Sequence, residues 1–163
     1  MDLAALTWNG YKSCYYRTFL CWQGTKPRPK RCLCNCTEVA LRLSLKAVKV
    51  GATTRDIASK WPSAKEAWGY AEEDQAAANL WGHGLGLAQY DQPVISRIWS
   101  LDHPVEIKAG MVFALETQHG KNFQWGVRIE EMLIVHDDHV EIISNFPVEQ
   151  ITVVDPLPGY STL

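Results

Sequence analysis

A single histidine lies in a glycine-rich stretch, Trp-Gly-His-Gly-Leu-Gly-Leu, that runs from Trp81 to Leu87. In an extended strand successive side chains point to opposite faces, so the glycines share one face and His83 lies on the other. A face made of glycine lets another backbone or a helix approach closely. The pattern therefore predicts an imidazole, a group that transfers protons and binds metals, held on a rigid element.

Two glutamates follow in segments that both have the pattern of strands and are separated by a polar segment bounded by glycines. If Gly120 pairs with Gly126 around a loop at residues 121–125, Glu116 falls directly opposite Glu130. The Cβ atoms of such a pair are about 5 Å apart. Like charges this close are unfavourable unless one is protonated or a cation lies between them. A divalent metal, an arginine or a cationic substrate would supply that cation.

Arg128 provides a simpler explanation of the same pair. In this register it is diagonal to Glu116 on the same face, so it can neutralise the glutamates with neither a metal nor any chemistry. A lone histidine beside glycines is also more often structural than functional. The residues alone leave a functional cluster and a structural one both open.

Three motifs occur in order along the chain: Gly-His-Gly-Leu-Gly-Leu at residues 82–87, Gly-Met-Val-Phe-Ala-Leu-Glu-Thr at 110–117 and Gly-Val-Arg-Ile-Glu-Glu at 126–131. Together with residues 10–19 upstream, they resemble the carboxy-terminal half of the pita-bread hydrolases, the superfamily of Xaa-Pro aminopeptidases, prolidases and creatinase. The resemblance implies a pita-bread fold of the α/β (α+β) class, with a mostly antiparallel, curved sheet covered by helices. It places His83 and the two glutamates where the metallopeptidases have a histidine and two glutamate metal ligands.

The chain also departs from the metallopeptidase pattern. In the strand predicted over residues 11–22, Cys14 stands where the bridging aspartate ligand is expected. Leu3 stands where the other aspartate is expected, and Asp2 is one residue off register, on the opposite face. Tyr90 replaces the histidine that metallopeptidases carry a few residues after the glycine-rich motif. A site for two metals has thus lost both aspartates.

The resemblance then implies at most one divalent ion, manganese, zinc or cobalt. A thiolate, an imidazole and carboxylates are acceptable zinc ligands. The predicted catalytic residues are His83, Glu116 and Glu130, and the predicted metal ligands are these three with Cys14. The predicted substrate contacts are Tyr90 and Arg128.

These residues support three functional hypotheses. The first is a hydrolase that cleaves the C–N bond of a peptide or small substrate, like the Xaa-Pro aminopeptidases, with a degenerate metal site. The second follows the creatinase branch, which includes ectoine hydrolases and sulfonium lyases: it needs no metal, and vacated glutamates bind a guanidinium or ammonium group. The third is a catalytically inactive remnant that serves as a binding or dimerisation module.

The composition limits the partners and the cellular location that we expect for the protein. The chain has 163 residues, with 16 basic and 18 acidic residues and a net charge of −2, which gives no field that recruits nucleic acid or an anionic membrane. No apolar run approaches the ~20 residues of a membrane span, and no secretory signal accompanies the odd number of five cysteines, so we expect a cytoplasmic protein. We expect residues 1–163 to be one partial catalytic domain, truncated at the amino-terminal side of the fold, and a homodimer in full-length form.

Helical signals precede the glycine-rich motif. Residues 35–50 have apolar residues at helical spacing, and Thr53 with Asp56, and Ser63 with Glu66, are typical of capping boxes that begin two further helices. The order of helices followed by a strand is expected on the outer layer of an α/β sandwich.

Other segments carry weaker signals. The spacing of Cys32, Cys34 and Cys36 is not that of a zinc ribbon, which favours ordinary packing. Residues 89–104 are predicted as a long connection that borders a binding site, and residues 136–139 as a hairpin tip.

Overall fold

The structure is a computed structural model of the chain. It describes residues 5–6, 8–21, 38–76, 80–121, 125–148 and 152–154. The sequence predictions for Asp2, Leu3 and the three cysteines at positions 32, 34 and 36 fall outside these residues, as does the predicted start of the first helix at residues 35–37.

The described residues form short helices and one main sheet. The strands are β1 (Ala5–Leu6), β2 (Lys12–Ser13), β3 (Phe19–Cys21), β4 (Leu80–Gly84), β5 (Asp91–Ser96), β6 (Val112–Lys121), β7 (Trp125–Val135), β8 (Val140–Ile142) and β9 (Thr152–Val154). The helices are α1 (Glu38–Ala47), α2 (Thr54–Ala58), α3 (Ala64–Trp68) and α4 (Arg97–Ser100), with 3₁₀ turns at Trp8–Gly10 and Glu73–Gln75.

The main sheet has five antiparallel strands in the order β5-β4-β6-β7-β8. Its central pair, β6 and β7, has the register that the sequence predicts, with Gly120 opposite Gly126 and Glu116 opposite Glu130. The ladder also includes Lys121 opposite Trp125, so the connection is shorter than the predicted five residues. The described residues also form two small sheets. β1 and β2 are antiparallel, and β3 and β9 are parallel.

Helices cover one face of the main sheet. The predicted capping boxes are present: Thr53 and Asp56 cap α2, and Ser63 and Glu66 cap α3. The apolar core lies between these helices and the sheet and includes Leu41, Ile57, Trp61, Trp81, Ile95, Phe113, Leu115 and Leu133. The indole rings of two of these residues stack with centroids 5.3 Å apart, those of Trp61 and Trp81. Burial of this side fixes which residues of each strand face away from the helices.

Two sequence predictions of local structure are wrong. Residues 11–22 do not form one strand, because β2 ends at Ser13 and β3 begins at Phe19. Residues 89–104 are not a plain connection, because they contain β5 and α4. β5 contains Pro93, which cannot donate to a sheet ladder. β5 is at the edge of the sheet, where a proline is tolerated.

Among the described residues, no helix has the length and apolar character needed to cross a membrane. The cytoplasmic location and the homodimer stay predictions.

Candidate metal centre

His83 lies on β4, between the edge strand β5 and the central strand β6. It pairs with Val94 of β5 and Ala114 of β6, and its side chain is almost completely buried. The glycine face behaves as predicted, because a Cβ on Gly84 would overlap the backbone of Gln92 in β5. The missing side chains therefore let β5 pack against β4 and hold the imidazole in place.

The orientation of the imidazole is set by its own strand. Nδ1 of His83 lies 3.0 Å from the carbonyl oxygen of Gly84. Because a carbonyl oxygen only accepts hydrogen bonds, Nδ1 carries the proton, and in the neutral ring Nε2 then carries the lone pair. Metal-binding histidines almost always donate their second ring nitrogen to an oxygen in this way.

Cys14 and Glu130 meet His83 in one group. The thiol of Cys14 donates to Oε2 of Glu130 at 3.6 Å, and Nε2 of His83 lies 3.7 Å from Oε1 of Glu130. One ligand atom from each of the three residues lies within 4.8 Å of the other two. Their relative exposures are 0% for Cys14, 1% for His83 and 0% for Glu130. Three different donor types thus converge in a site closed to water.

Glu116 has a different environment from its cross-strand neighbour. Its Oε2 accepts a hydrogen bond from Nη2 of Arg128, and the two form an ion pair. The guanidinium of Arg128 also lies over the ring of Tyr16, 4.0 Å from its centroid. Among the described residues, the group able to hold a metal ion does not include Glu116. Of the alternatives that the sequence left open, the arginine supplies the cation beside Glu116.

Arg128 is held in its charged form by this arrangement. Partial burial acts to lower its pKa and is the largest single influence, but the charge of Glu116 and the hydrogen bond to it outweigh burial. The pKa of Arg128 is therefore above its ordinary value, and the guanidinium carries its positive charge at physiological pH.

Tyr90 and Gln89 lie beside the three donors. The ring of Tyr90 lies 4.5 Å from the imidazole of His83 between centroids, yet Tyr90 is 59% exposed. Nε2 of Gln89 donates to the sulfur of Cys14 at 3.7 Å. Tyr90 thus lies between the buried histidine and solvent, and its contact with a substrate stays a prediction.

Sequence reasoning missed three residues near this centre, Gln89, Arg17 and Glu131. Arg17 and Glu131 form a buried ion pair at 3.1 Å. The alternation in residues 11–22 puts the side chains of Arg17 and Cys14 on different faces of that segment. Glu131 and Glu130 are consecutive on β7, so their side chains also point to different faces. This alternation is a signal that Arg17 could pair with Glu131 while Cys14 faces Glu130. Using that signal requires knowing that the segment packs against β7.

Comparisons with known proteins identify the family. Residues 1–137 match the model of "Metallopeptidase family M24". The chain is 27% identical over 114 residues to the probable dipeptidase PepE of Mycobacterium tuberculosis, a match that covers 70% of this chain and 28% of that protein. Together with the antiparallel sheet and its histidine and glutamates, the match to the family model shows that the chain belongs to this metallopeptidase family.

Solved structures agree on the fold. Dipeptidase PepE from Mycobacterium ulcerans superposes with a TM-score of 0.75 at 24% identity, covering 95% of this chain and 39% of that one. A recombinant prolidase from Thermococcus sibiricus superposes with a TM-score of 0.76 at 22% identity, covering 94% and 39%. The predicted pita-bread fold is confirmed. The chain spans less than a third of the length of the curated dipeptidase that it matches.

Proposed function

We propose that this chain carries the metal-binding half of a C–N hydrolase of the Xaa-Pro aminopeptidase and dipeptidase kind, with a centre for one divalent ion in place of two. The observation that carries the proposal is the convergence of Cys14, His83 and Glu130 within 4.8 Å of one another in a buried group. A single buried thiol, imidazole and carboxylate is an acceptable donor set for zinc. Catalytic zinc sites commonly have three protein ligands.

The chemistry of the donors fits such an ion. His83 directs its Nε2 toward Glu130 because Nδ1 is fixed by the carbonyl of Gly84. The thiol of Cys14, which donates to Glu130, would give up its proton on binding, since thiolate is the form that binds metals. A divalent ion bound there supplies Lewis-acid chemistry for polarising a carbonyl group.

Arg128 takes the place of a second cation beside Glu116. Its guanidinium already neutralises that carboxylate, so two ions need not compensate the charge of two glutamates. About a third of its side chain is exposed, 35%, and this part is available to a substrate carboxylate. We propose that Arg128 and Tyr90 contact the substrate, a peptide or a small amide, on the exposed side of the buried donors.

The same ion pair weakens the creatinase-like alternative. That hypothesis requires vacated glutamates that bind a guanidinium or ammonium substrate. A cationic substrate would have to displace Arg128 from Glu116, at the cost of breaking a charge-assisted hydrogen bond. The one-metal hydrolase is therefore the function that the geometry supports best.

The experiment is to titrate the purified chain with Zn²⁺, Mn²⁺ and Co²⁺ and to assay an Xaa-Pro dipeptide, a dipeptide without proline and creatine at each loading. We expect hydrolysis of a dipeptide that saturates at one ion per chain and is lost in His83→Ala. Activity that requires two ions, or creatine hydrolysis without metal, would overturn the proposal. One bound ion with no hydrolysis of any substrate would indicate a binding module.

A further inference from the structure

Arg17 is a buried arginine that binds both glutamates of the Glu130–Glu131 pair. It is 3% exposed, and its Nη2 donates to the carboxylate oxygens of Glu131 at 3.1 and 3.2 Å. Its Nη1 donates to the backbone carbonyls of Glu130 at 2.5 Å and Tyr16 at 2.8 Å. Nε and Nη2 both donate to the carbonyl of Phe146, at 3.0 and 2.5 Å.

These contacts join three separate parts of the chain. One is the segment that contains Cys14, the second is β7 with Glu130, and the third is the segment after β8. Another bond reinforces the first junction, because the amide of Glu130 donates to the carbonyl of Tyr16 at 3.2 Å. Cys14 and Glu130 are 116 residues apart in sequence, and the guanidinium bonds across the junction between their segments, to Tyr16 on one side and to Glu130 and Glu131 on the other.

We propose that Arg17 is the positioning residue of the metal centre. It sets the distance between the thiol of Cys14 and the carboxylate of Glu130 by holding the segment that contains Cys14 against β7. This inference rests on the proposed one-metal function, and it adds a residue that the function itself does not require. Outer-shell residues that orient metal ligands commonly change metal affinity by 10–100-fold.

An arginine suits this role for a physical reason. Its planar fork of five N–H donors can serve a carboxylate and several carbonyls at fixed angles, whereas the compact ammonium of lysine cannot reach all of them at once. It also neutralises Glu131 beside Glu130, so that the ligand carboxylate does not lie next to an uncompensated buried charge. We therefore expect Arg17→Lys to be a poor substitute although it keeps the charge.

The chain contains a matched control. Arg97 donates to Oε1 of Glu73 at 3.0 Å and to the carbonyl of Trp61 at 2.9 Å, which is the same combination of carboxylate and backbone carbonyl. It lies on the helical side, among α2, α3 and α4. Arg97→Lys therefore reports the cost of weakening such a network where no metal ligand depends on it.

The test compares Arg17→Lys, Arg97→Lys and the wild type in three measurements. Zinc affinity by chelator competition should fall by about 10–100-fold in Arg17→Lys and change by less than about twofold in Arg97→Lys. At saturating Co²⁺, the sulfur-to-cobalt charge-transfer band should weaken in Arg17→Lys alone. In the metal-free protein, alkylation of Cys14, followed by mass spectrometry, should be about tenfold faster in Arg17→Lys, because local opening exposes the thiol.

Equal effects of the two lysine variants, at temperatures well below both melting transitions, would overturn the proposal. If the wild type binds no zinc, the proposed function fails, but the alkylation of Cys14 still decides whether Arg17 positions that residue. If Arg17→Lys does not fold, Glu131→Gln takes its place, since it keeps the volume and weakens the same contact. Unchanged Cys14 alkylation in Glu131→Gln would then overturn the proposal.

Discussion

Glu116 and Glu130 are opposite each other on adjacent strands, both buried, yet their surroundings differ. On the β6 side, Glu116 is bound to a permanent cation, Arg128, which lies over an aromatic ring. On the β7 side, Glu130 meets a thiol and an imidazole, two groups that can change protonation or bind a metal. The two residues are identical and are paired across the strands, but their chemical surroundings differ because their neighbours come from different parts of the fold.

Under the proposed function, the difference explains how a centre for two ions becomes a centre for one. Where metallopeptidases of this superfamily are expected to have two aspartates, the resemblance places a leucine and Cys14. The negative charge left beside Glu116 is compensated by Arg128, and Glu130 retains the donors suited to one soft ion. Substitutions on one side of the pair test whether the other side responds.

The largest effect is expected on zinc affinity. Glu130→Gln removes the carboxylate that lies between Cys14 and His83, so we expect zinc binding to weaken by at least about 100-fold, the upper end of the cost of losing an outer-shell partner. Glu116→Gln should weaken it by less than about tenfold, because that carboxylate is held by Arg128. Competition with a zinc-binding dye measures both.

Glu141→Gln is the control for these variants, because this exposed glutamate lies on β8 and bonds to His136 at 2.9 Å. It should leave zinc affinity unchanged. Equal losses in Glu116→Gln and Glu130→Gln would contradict the asymmetry and favour a centre that uses both glutamates.

The next effect is on stability. Arg128→Met leaves the buried carboxylate of Glu116 without its cation, so we expect the free energy of unfolding to fall by about 1–3 kcal/mol, limited by the partial exposure of the arginine. Denaturant unfolding measures it. Removing the charge as well, in Glu116→Gln/Arg128→Met, should restore part of the loss. A double variant less stable than Arg128→Met would show that the ion pair does not stabilise the fold as argued.

A smaller effect is expected on metal preference. Sulfur ligands favour zinc over manganese, so Cys14→Ser should lower the ratio of zinc to manganese affinity by about tenfold. Parallel titrations of the metal-free wild type and variant give the ratio. If the ratio does not change, the thiol is outside the coordination sphere.

The smallest effect is expected from a substitution in the helices, which should not change the contacts of either glutamate. Thr53→Ala removes the cap of α2 and should lower the free energy of unfolding by about 1 kcal/mol, with zinc affinity unchanged. The pKa of Asp56 is below its ordinary 3.8, mainly because the Thr53 side chain and then the Thr53 backbone donate to it. A lowered folded pKa gives stability that is present above the unfolded pKa and lost as the pH falls through the folded one.

Thermal melts of the wild type and Thr53→Ala from pH 6 to pH 2 follow that contribution. The difference between them should shrink at the acid end, since the protonated carboxyl is a weaker acceptor. A difference that stays constant over the range would mean that the charge of Asp56 does not strengthen the cap.

The register of the central strands and the helix caps could be predicted from the sequence, because they depend on residues close together along the chain. The register of β6 and β7 followed from glycines at both ends of a polar connection and from period-two alternation. The caps of α2 and α3 followed from the capping-box pattern. The position of Glu116 opposite Glu130 is thus a consequence of sequence that needs no tertiary information.

The different contacts of Glu116 and Glu130 could not be predicted in the same way. It depends on how the residues after β2 pack against β7, which brings Cys14 to Glu130 and Tyr16 to Arg128. This packing joins segments more than a hundred residues apart, and the expected continuous strand over residues 11–22 obscured it. The alternating pattern places Arg17 on one face of the segment but does not identify Glu131 as its partner.

The most direct test is X-ray absorption spectroscopy of the zinc-loaded wild type and of Cys14→Ser, with the metal content measured on the same samples. We predict one zinc per chain with one sulfur ligand at about 2.3 Å, and loss of that sulfur in the variant. Two tightly bound ions per chain, or a zinc environment of nitrogen and oxygen alone in the wild type, would contradict the account.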